Sequence, residues 1–315
     1  MARCSAFEFD EVSSAEPTEF ELYYRAGEHE YRYALSVHAN EIVSEGLWRR
    51  KLGASRTAML FEREGTDVEL GPSLRRLATA ATFNPYLPYL SFLCINFDIP
   101  VIKEAASWFL NGVFLNYNSS YLERALEQTL DEDDSPEVTR FLRAVDVRID
   151  GFRVEKAAEE HRQRVFVKHA VGGKDYELRL SEESAGTQKL MGLASFLLAA
   201  LERGGTVVVD ELDAKLHPKL LRYVILLFKD PEINKNGAQL IFSSQDVSTM
   251  RNDVFRRDEI WFAARDEDAA SQLWSLADIR EANGNLVSKN AAFDKQYLSG
   301  RYGADPYLAR IEEWD

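Results

Sequence analysis

Cysteine is scarce: Cys4 and Cys94 are the only two in 315 residues. Thiols so far apart form neither a metal-type cluster nor a disulfide framework, which excludes a disulfide-stapled secreted domain and fits a reducing cytoplasm. Long apolar runs are missing too. The most apolar stretches, 86–102 and 190–201, are too short to span a bilayer or are broken by Pro88, Asn96, Asp98 and Pro100. The first ten residues, MARCSAFEFD, have no apolar core and turn acidic at once, so no secretion signal is expected. Basic charge is the third shortage. Lys and Arg number 38 against 52 Asp and Glu, a balance that repels polyanions and leaves direct nucleic-acid binding and anionic membranes unsupported as partners. What remains is a folded protein of ordinary composition, 45% hydrophobic and 29% charged, long enough for one large or two modest domains.

Between Phe20 and Phe61 the segments EFELYYR, HEYRYALSV, EIVSEGLWRR and TAMLFERE are short, aromatic and β-branched, with Gly27, Asn40 and Gly53 at the breaks. This pattern predicts antiparallel strands joined by tight turns. From Ser73 to about Ala144 the apolar positions Leu74, Leu77, Ala78, Trp108, Phe109, Leu122 and Leu126 follow helical spacing and predict a helical insertion. The acidic run 131–137, DEDDSPE, reads as a solvated turn with Ser135 capping a helix that begins at Pro136. Strand patterns return at 145–152, 164–169 and 176–180, with Gly172 and Gly173 as a hairpin turn. Beyond them a helix over 184–203, the strand TVVVDE, a helix over 217–229, the strand AQLIFSS, a short helix after Asp246 and the strand DEIWFAA alternate, which predicts an α/β layer with a parallel sheet.

The candidate chemistry lies at Thr206-Val207-Val208-Val209-Asp210-Glu211. A β-branched run followed by two carboxylates describes a buried strand that delivers both acids to its carboxyl end, where ligands bind in open α/β sheets. By itself the pattern also fits an ordinary strand-end turn. Asp213 follows within LDAKLHP, and a second apolar strand ends in Ser243-Ser244-Gln245-Asp246. Upstream, Glu183-Ser184-Ala185-Gly186-Thr187-Gln188-Lys189 opens a long apolar helix whose free backbone N–H groups and dipole suit a phosphate, or simply mark a serine N-cap.

In order and spacing, ESAGTQK resembles the signature motif of ABC-class ATPases, TVVVDELD their Walker B strand, LDAKLHP their D-loop and IFSSQD their switch strand. Together with RRDEIWF, the terminal YLSGRYGADPYL and the segments SSAEPTEFELYYRAGEHEYRYALSV and MLFERE, these make the chain similar nearly end to end to the prokaryotic AAA family ATPases called AAA15 or abortive-infection-like, relatives of SMC and RecF heads. The resemblance implies an ABC-ATPase-like P-loop NTPase head of α/β class: an antiparallel β lobe at 1–72, a helical insertion at 73–144 and an ATPase core with a parallel sheet at 145–315. It implies ATP and Mg2+ as cofactors, with Asp210 holding the magnesium through water and Glu211 polarising the attacking water. Ser184, Ala185, Gly186, Thr187 and Gln188 would face ATP bound mainly by a second protomer, Asp213 would communicate across that interface, and Gln245 would occupy the switch position. A homodimer through the signature face, and a separately encoded effector acting in phage or plasmid defence, are the partners implied.

Two features depart from that family. No G-x-x-x-x-G-K-[ST] stretch occurs: GASRTAML, AGTQKLMG and GGKDYELR each lack the glycine and lysine spacing. The recognisable family sequence starts just past the P-loop, so the expectation is a head truncated before it, with a docking protein or remnant as the alternative. Gln245 stands where these ATPases usually place histidine, and an amide donates a hydrogen bond without becoming cationic.

Overall fold

The structure, a computed structural model, describes residues 6–77, 82–116, 130–131, 133, 135–145, 147–156, 163–281 and 284–304. Ala78, Leu122 and Leu126, Cys4, Glu132, Asp134 and the end of YLSGRYGADPYL lie outside these residues. The chain divides into two compact units, 1–111 with 266–270, and 112–265 with 271–315.

The first unit follows a short helix α1 (Glu11–Ala15) with an antiparallel meander of β1 (Thr18–Ala26), β2 (His29–His38), β3 (Glu41–Lys51), β4 (Thr57–Glu64) and β5 (Asp67–Leu70), each paired to the next. Alternation sets its faces: Tyr31 and Tyr33 are buried while Glu30 and Arg32 between and beside them are not. Two helices, α2 (Tyr89–Asn96) and α3 (Pro100–Leu110), pack on the apolar face through Leu90, Leu93, Ile102 and Ala105. The Tyr24 hydroxyl fixes α3 by donating to the Ala105 carbonyl at 2.8 Å.

A buried ion pair locks this unit. Glu45 and Arg63 are both fully shielded. Pro88 precedes α2 and offers no side-chain cap; instead the Glu45 carboxylate accepts the free helix N–H groups of Tyr89 at 2.5 Å and Leu90 at 2.9 Å, together with the Tyr33 hydroxyl at 3.0 Å. Arg63 donates to the carbonyls of Gly65, Leu87 and Pro85 at 2.6–2.8 Å, and its Nη1 lies 3.4 Å from Glu45. Burial pushes the Glu45 carboxyl up and holds the Arg63 guanidinium below its ordinary value.

The second unit is built on a parallel sheet in the order β11 (Gln239–Phe242), β10 (Thr206–Asp210), β6 (Val113–Asn116). In register, Val208 lies between Phe114 and Ile241, and Val209 between Leu115 and Phe242. Three helices, α4 (Ser135–Ala144), α5 (Ala185–Arg203) and α6 (Pro218–Lys229), join Val207, Val209 and Leu115 in one apolar cluster. The strands β7 (Gly151–Lys156), β8 (Gln163–Val171) and β9 (Lys174–Arg179) form a separate antiparallel sheet. A hairpin of β12 (Trp261–Arg265) and β13 (Ser271–Ser275), with helix α7 (Phe293–Leu298), has its own small core around Phe262, Leu276 and Phe293.

The expected helical insertion needs correction. Residues 73–144 do contain α2, α3 and α4, but α2 and α3 belong to the first unit, while β6 is a strand of the core sheet and α4 packs in the core. The run Val113-Phe114-Leu115 is too short to reveal its period, and only pairing with β10 makes it a strand. The strand expected at 145–152 begins only at Gly151.

Arg63→Met removes the guanidinium that faces the buried Glu45 carboxylate. The expected loss is about 3–5 kcal/mol of stability, measured by urea unfolding of the first unit's signal.

Candidate functional site

The carboxyl end of β10 turns sharply. Glu211 has φ +55° and Lys215 φ +64°, left-handed conformations that side chains with a Cβ rarely adopt. The chain therefore folds back on itself between two strained residues, and the carbonyls inside the fold need partners.

Backbone N–H groups of Ala214 and Leu216 reach the Glu211 and Asp213 carbonyls at 3.1 and 2.9 Å, and two side chains bind the rest of the turn. Lys189, one turn into α5 and only 4% exposed, donates to the carbonyls of Glu211 and Leu212 at 2.9 Å each and of Ala214 at 2.7 Å. Burial pushes its ammonium down to about 8, against the favourable charges of Asp213 and Glu211. At neutral pH it is still protonated, so three N–H donors meet three acceptors. Ser243, just past β11, binds the same turn from the other side: its hydroxyl donates to Asp210 Oδ1 at 2.5 Å and accepts from Glu211 N at 2.8 Å. Its backbone adds bonds to Val209 and Leu212 at 3.0 and 3.1 Å.

Asp213 lies next to this lacing. Its Oδ2 accepts the Gln245 backbone N–H at 3.2 Å, and its Oδ1 is buried without a hydrogen bond. Ser184 is the N-cap of α5, accepting from Thr187 N at 3.1 Å and bonding the Thr187 hydroxyl at 2.8 Å. Ala185 is exposed in the first turn. Gly186 sits where a Cβ would come within 3.0 Å of the Lys215 carbonyl, so glycine allows the helix start to approach the turn. The Gln188 amide folds back to donate to the Glu183 carbonyl at 2.7 Å.

Thus Asp210, Glu211, Asp213 and Gln245 are brought together around Ser243, and Lys189 ties the helix carrying Ser184 to Gln188 onto the same turn. Sequence reading missed Lys189 and Ser243. The signal for Lys189 was present: it shares a helical face with the buried Leu193 and Leu197, an expensive place for a charge without partners. A further unpredicted contact joins His169 Nε2 to the Glu183 carboxylate at 2.6 Å, fastening β8 to the residue before the helix cap.

Chemically, the Glu211 carboxylate takes no protein hydrogen bond among the described residues, and Asp210 shares one oxygen with Ser243. Among the same residues no group of three or more metal-type side chains converges. That donor set suits Mg2+, which is commonly held by one or two carboxylates, water and substrate phosphates, and not by an all-protein cage.

Acids at the carboxyl end of a parallel sheet, beside a capped helix N-terminus, define the class of site at which α/β proteins receive ligands. The profile of the family described as "AAA domain, putative AbiEii toxin, Type IV TA system" matches residues 5–251, and the chain belongs to this family. No curated protein matches it. Among solved structures 25 chains match. One, the SMC head bound to the C-winged helix domain of ScpA, is 12% identical over 79% of this chain and 74% of that one, with a TM-score of 0.33. So low a score does not bear on what this chain does.

The left-handed Glu211 generates a test of strain. Glu211→Gly is expected to raise stability by about 1 kcal/mol in urea unfolding, and Glu211→Gln to leave it unchanged. A glycine variant no more stable than the parent would show that the turn stores no strain there.

Proposed function

We propose that the chain is the signature- and acid-bearing part of an ATP-driven switch of the ABC class. One observation carries this reading: Lys189 holds the helix that starts at the Ser184 cap directly on the turn that presents Glu211 and Asp213. Binding at the helix start and chemistry at the acids then share one rigid connection.

In this reading Asp210 holds Mg2+ through water, and the metal supplies charge neutralisation of the phosphates. Glu211 orients and polarises the attacking water, a role suited by a carboxylate that takes no protein hydrogen bond among the described residues. Gln245 donates an amide N–H toward the terminal phosphate, and Asp213 reads the facing protomer. Ser184, Ala185, Gly186, Thr187 and Gln188 close over ATP that a second head holds, so the working unit is a head-to-head dimer with two composite sites in the cytoplasm. Among the described residues no helix is long and apolar enough to cross a membrane. An effector protein and a role in defence against phage or plasmids accompany this reading by family analogy.

No G-x-x-x-x-G-K-[ST] stretch occurs in the sequence, so in this reading the phosphates are held by a phosphate-binding loop that a facing head supplies. The second reading, a noncatalytic protein that docks on an intact ATPase, is favoured by the absent loop and by Gln245.

Two measurements test the proposal. Three charge-assisted phosphate contacts contribute roughly 5 kcal/mol, so without the loop the affinity drops more than about a thousandfold. Calorimetry of the purified chain with Mg-ATP is expected to show no micromolar binding. In a protein completed by supplying a phosphate-binding loop, Glu211→Gln is expected to lower turnover by at least about a hundredfold with ATP binding retained. Unchanged turnover would remove Glu211 from catalysis, and no turnover in the completed parent would favour the docking protein.

A further inference from the structure

We infer that Lys189 is the positioning residue of the catalytic turn, converting movement of the first turn of α5 into movement of Glu211 and Asp213. The role of those two residues rests on the function proposed above; the mechanical link stands on geometry alone.

The ammonium reaches across from one element to another and is fully occupied there. Its acceptors are three carbonyls within a four-residue stretch, those of Glu211, Leu212 and Ala214. That stretch is entered through the left-handed Glu211 and left through the left-handed Lys215, so its conformation is not the one the backbone would choose unaided. On the helix side, Lys189 directly follows Gln188 and lies five residues after the Ser184 cap, within the first turns whose N–H groups would meet a phosphate. A shift of that helix end drags the ammonium, and three charge-assisted bonds resist any slack.

A second close contact joins the same two segments. The Gly186 backbone stands against the Lys215 carbonyl with room for no larger residue without displacement. Gly186 sets how near the helix can come, and Lys189 sets what it pulls. The lysine is also excluded from a second role. Buried and bonded to carbonyls, it is not a stand-in for the lysine of a phosphate-binding loop.

The test uses the purified chain and amide hydrogen exchange followed by mass spectrometry. With Lys189→Met, exchange across 211–216 is expected to accelerate at least about tenfold more than in α6 and the β12–β13 hairpin, which exchange only as fast as the variant's global stability dictates. Lys189→Gln, which keeps two donors, is expected to fall between the parent and the methionine variant and guards against a methionine variant that does not fold. Uniform acceleration over the whole second unit would reduce Lys189 to a general stabiliser, and unchanged exchange at 211–216 would sever the link; either overturns the inference. In a completed enzyme the same variants are expected to lower kcat at unchanged KM for ATP. A parent without turnover would count against the proposed function alone, because the exchange result decides the positioning role separately.

Discussion

Backbone carbonyls in a tight, half-buried turn must find donors, and the second unit is organised around that constraint. A strand can hand its carbonyls to neighbouring strands, but β10 ends at Asp210, and the chain beyond it leaves the ladder. Lys189 takes the carbonyls of Glu211, Leu212 and Ala214, the first of which also accepts the Ala214 N–H, and Ser243 ties the strand end and the first N–H of the turn to β11. With those bonds in place Glu211 can occupy a left-handed conformation and still belong to a rigid structure. Without them the turn would relax, and the two acids would lose their fixed relation to the start of α5.

The first unit solves a related problem with the charges reversed. There the free N–H groups of α2 need acceptors, and the Glu45 carboxylate from a sheet strand provides them. Burying that carboxylate is costly, and Arg63 makes it tolerable while using its remaining donors on loop carbonyls. In each unit one buried ion thus replaces a cap that the local sequence does not offer. The difference lies in exposure: Glu45 and Arg63 are sealed and structural, whereas the turn held by Lys189 keeps Asp210 and Glu211 within reach of solvent.

Much of this was legible in the sequence. Alternation in HEYRYALSV and TAMLFERE gave the strands, TVVVDE gave a buried strand with acids at its end, and the serine before a long apolar helix gave its cap. The part that stayed hidden depends on partners distant in the chain. VFLN carries no period, and becomes a core strand only because β10 lies beside it. Lys189 is visible as a charge on an apolar face, but its acceptors come from a turn more than twenty residues later. The left-handed Glu211 was not readable, because glutamate does not ordinarily signal that conformation.

Two acids, Asp210 and Glu211, stand at the end of the core strand β10, and the sequence carries no G-x-x-x-x-G-K-[ST] stretch to accompany them. Carboxylates alone repel a triphosphate; they become useful only when cations and backbone N–H groups hold the phosphates against them. The cap of α5 supplies a few N–H groups, yet its Ser184 and Thr187 side chains already satisfy each other and Gln188 is folded back on Glu183. Under the proposed function these groups are drawn out by nucleotide delivered from a facing head, at an energetic cost that tight binding of that nucleotide offsets. Within that proposal, the chain responds to nucleotide already captured by its partner and does not capture it alone. A link as stiff as the Lys189 clamp suits that division, since the response has to travel from the contacted helix end to the acids without being absorbed on the way.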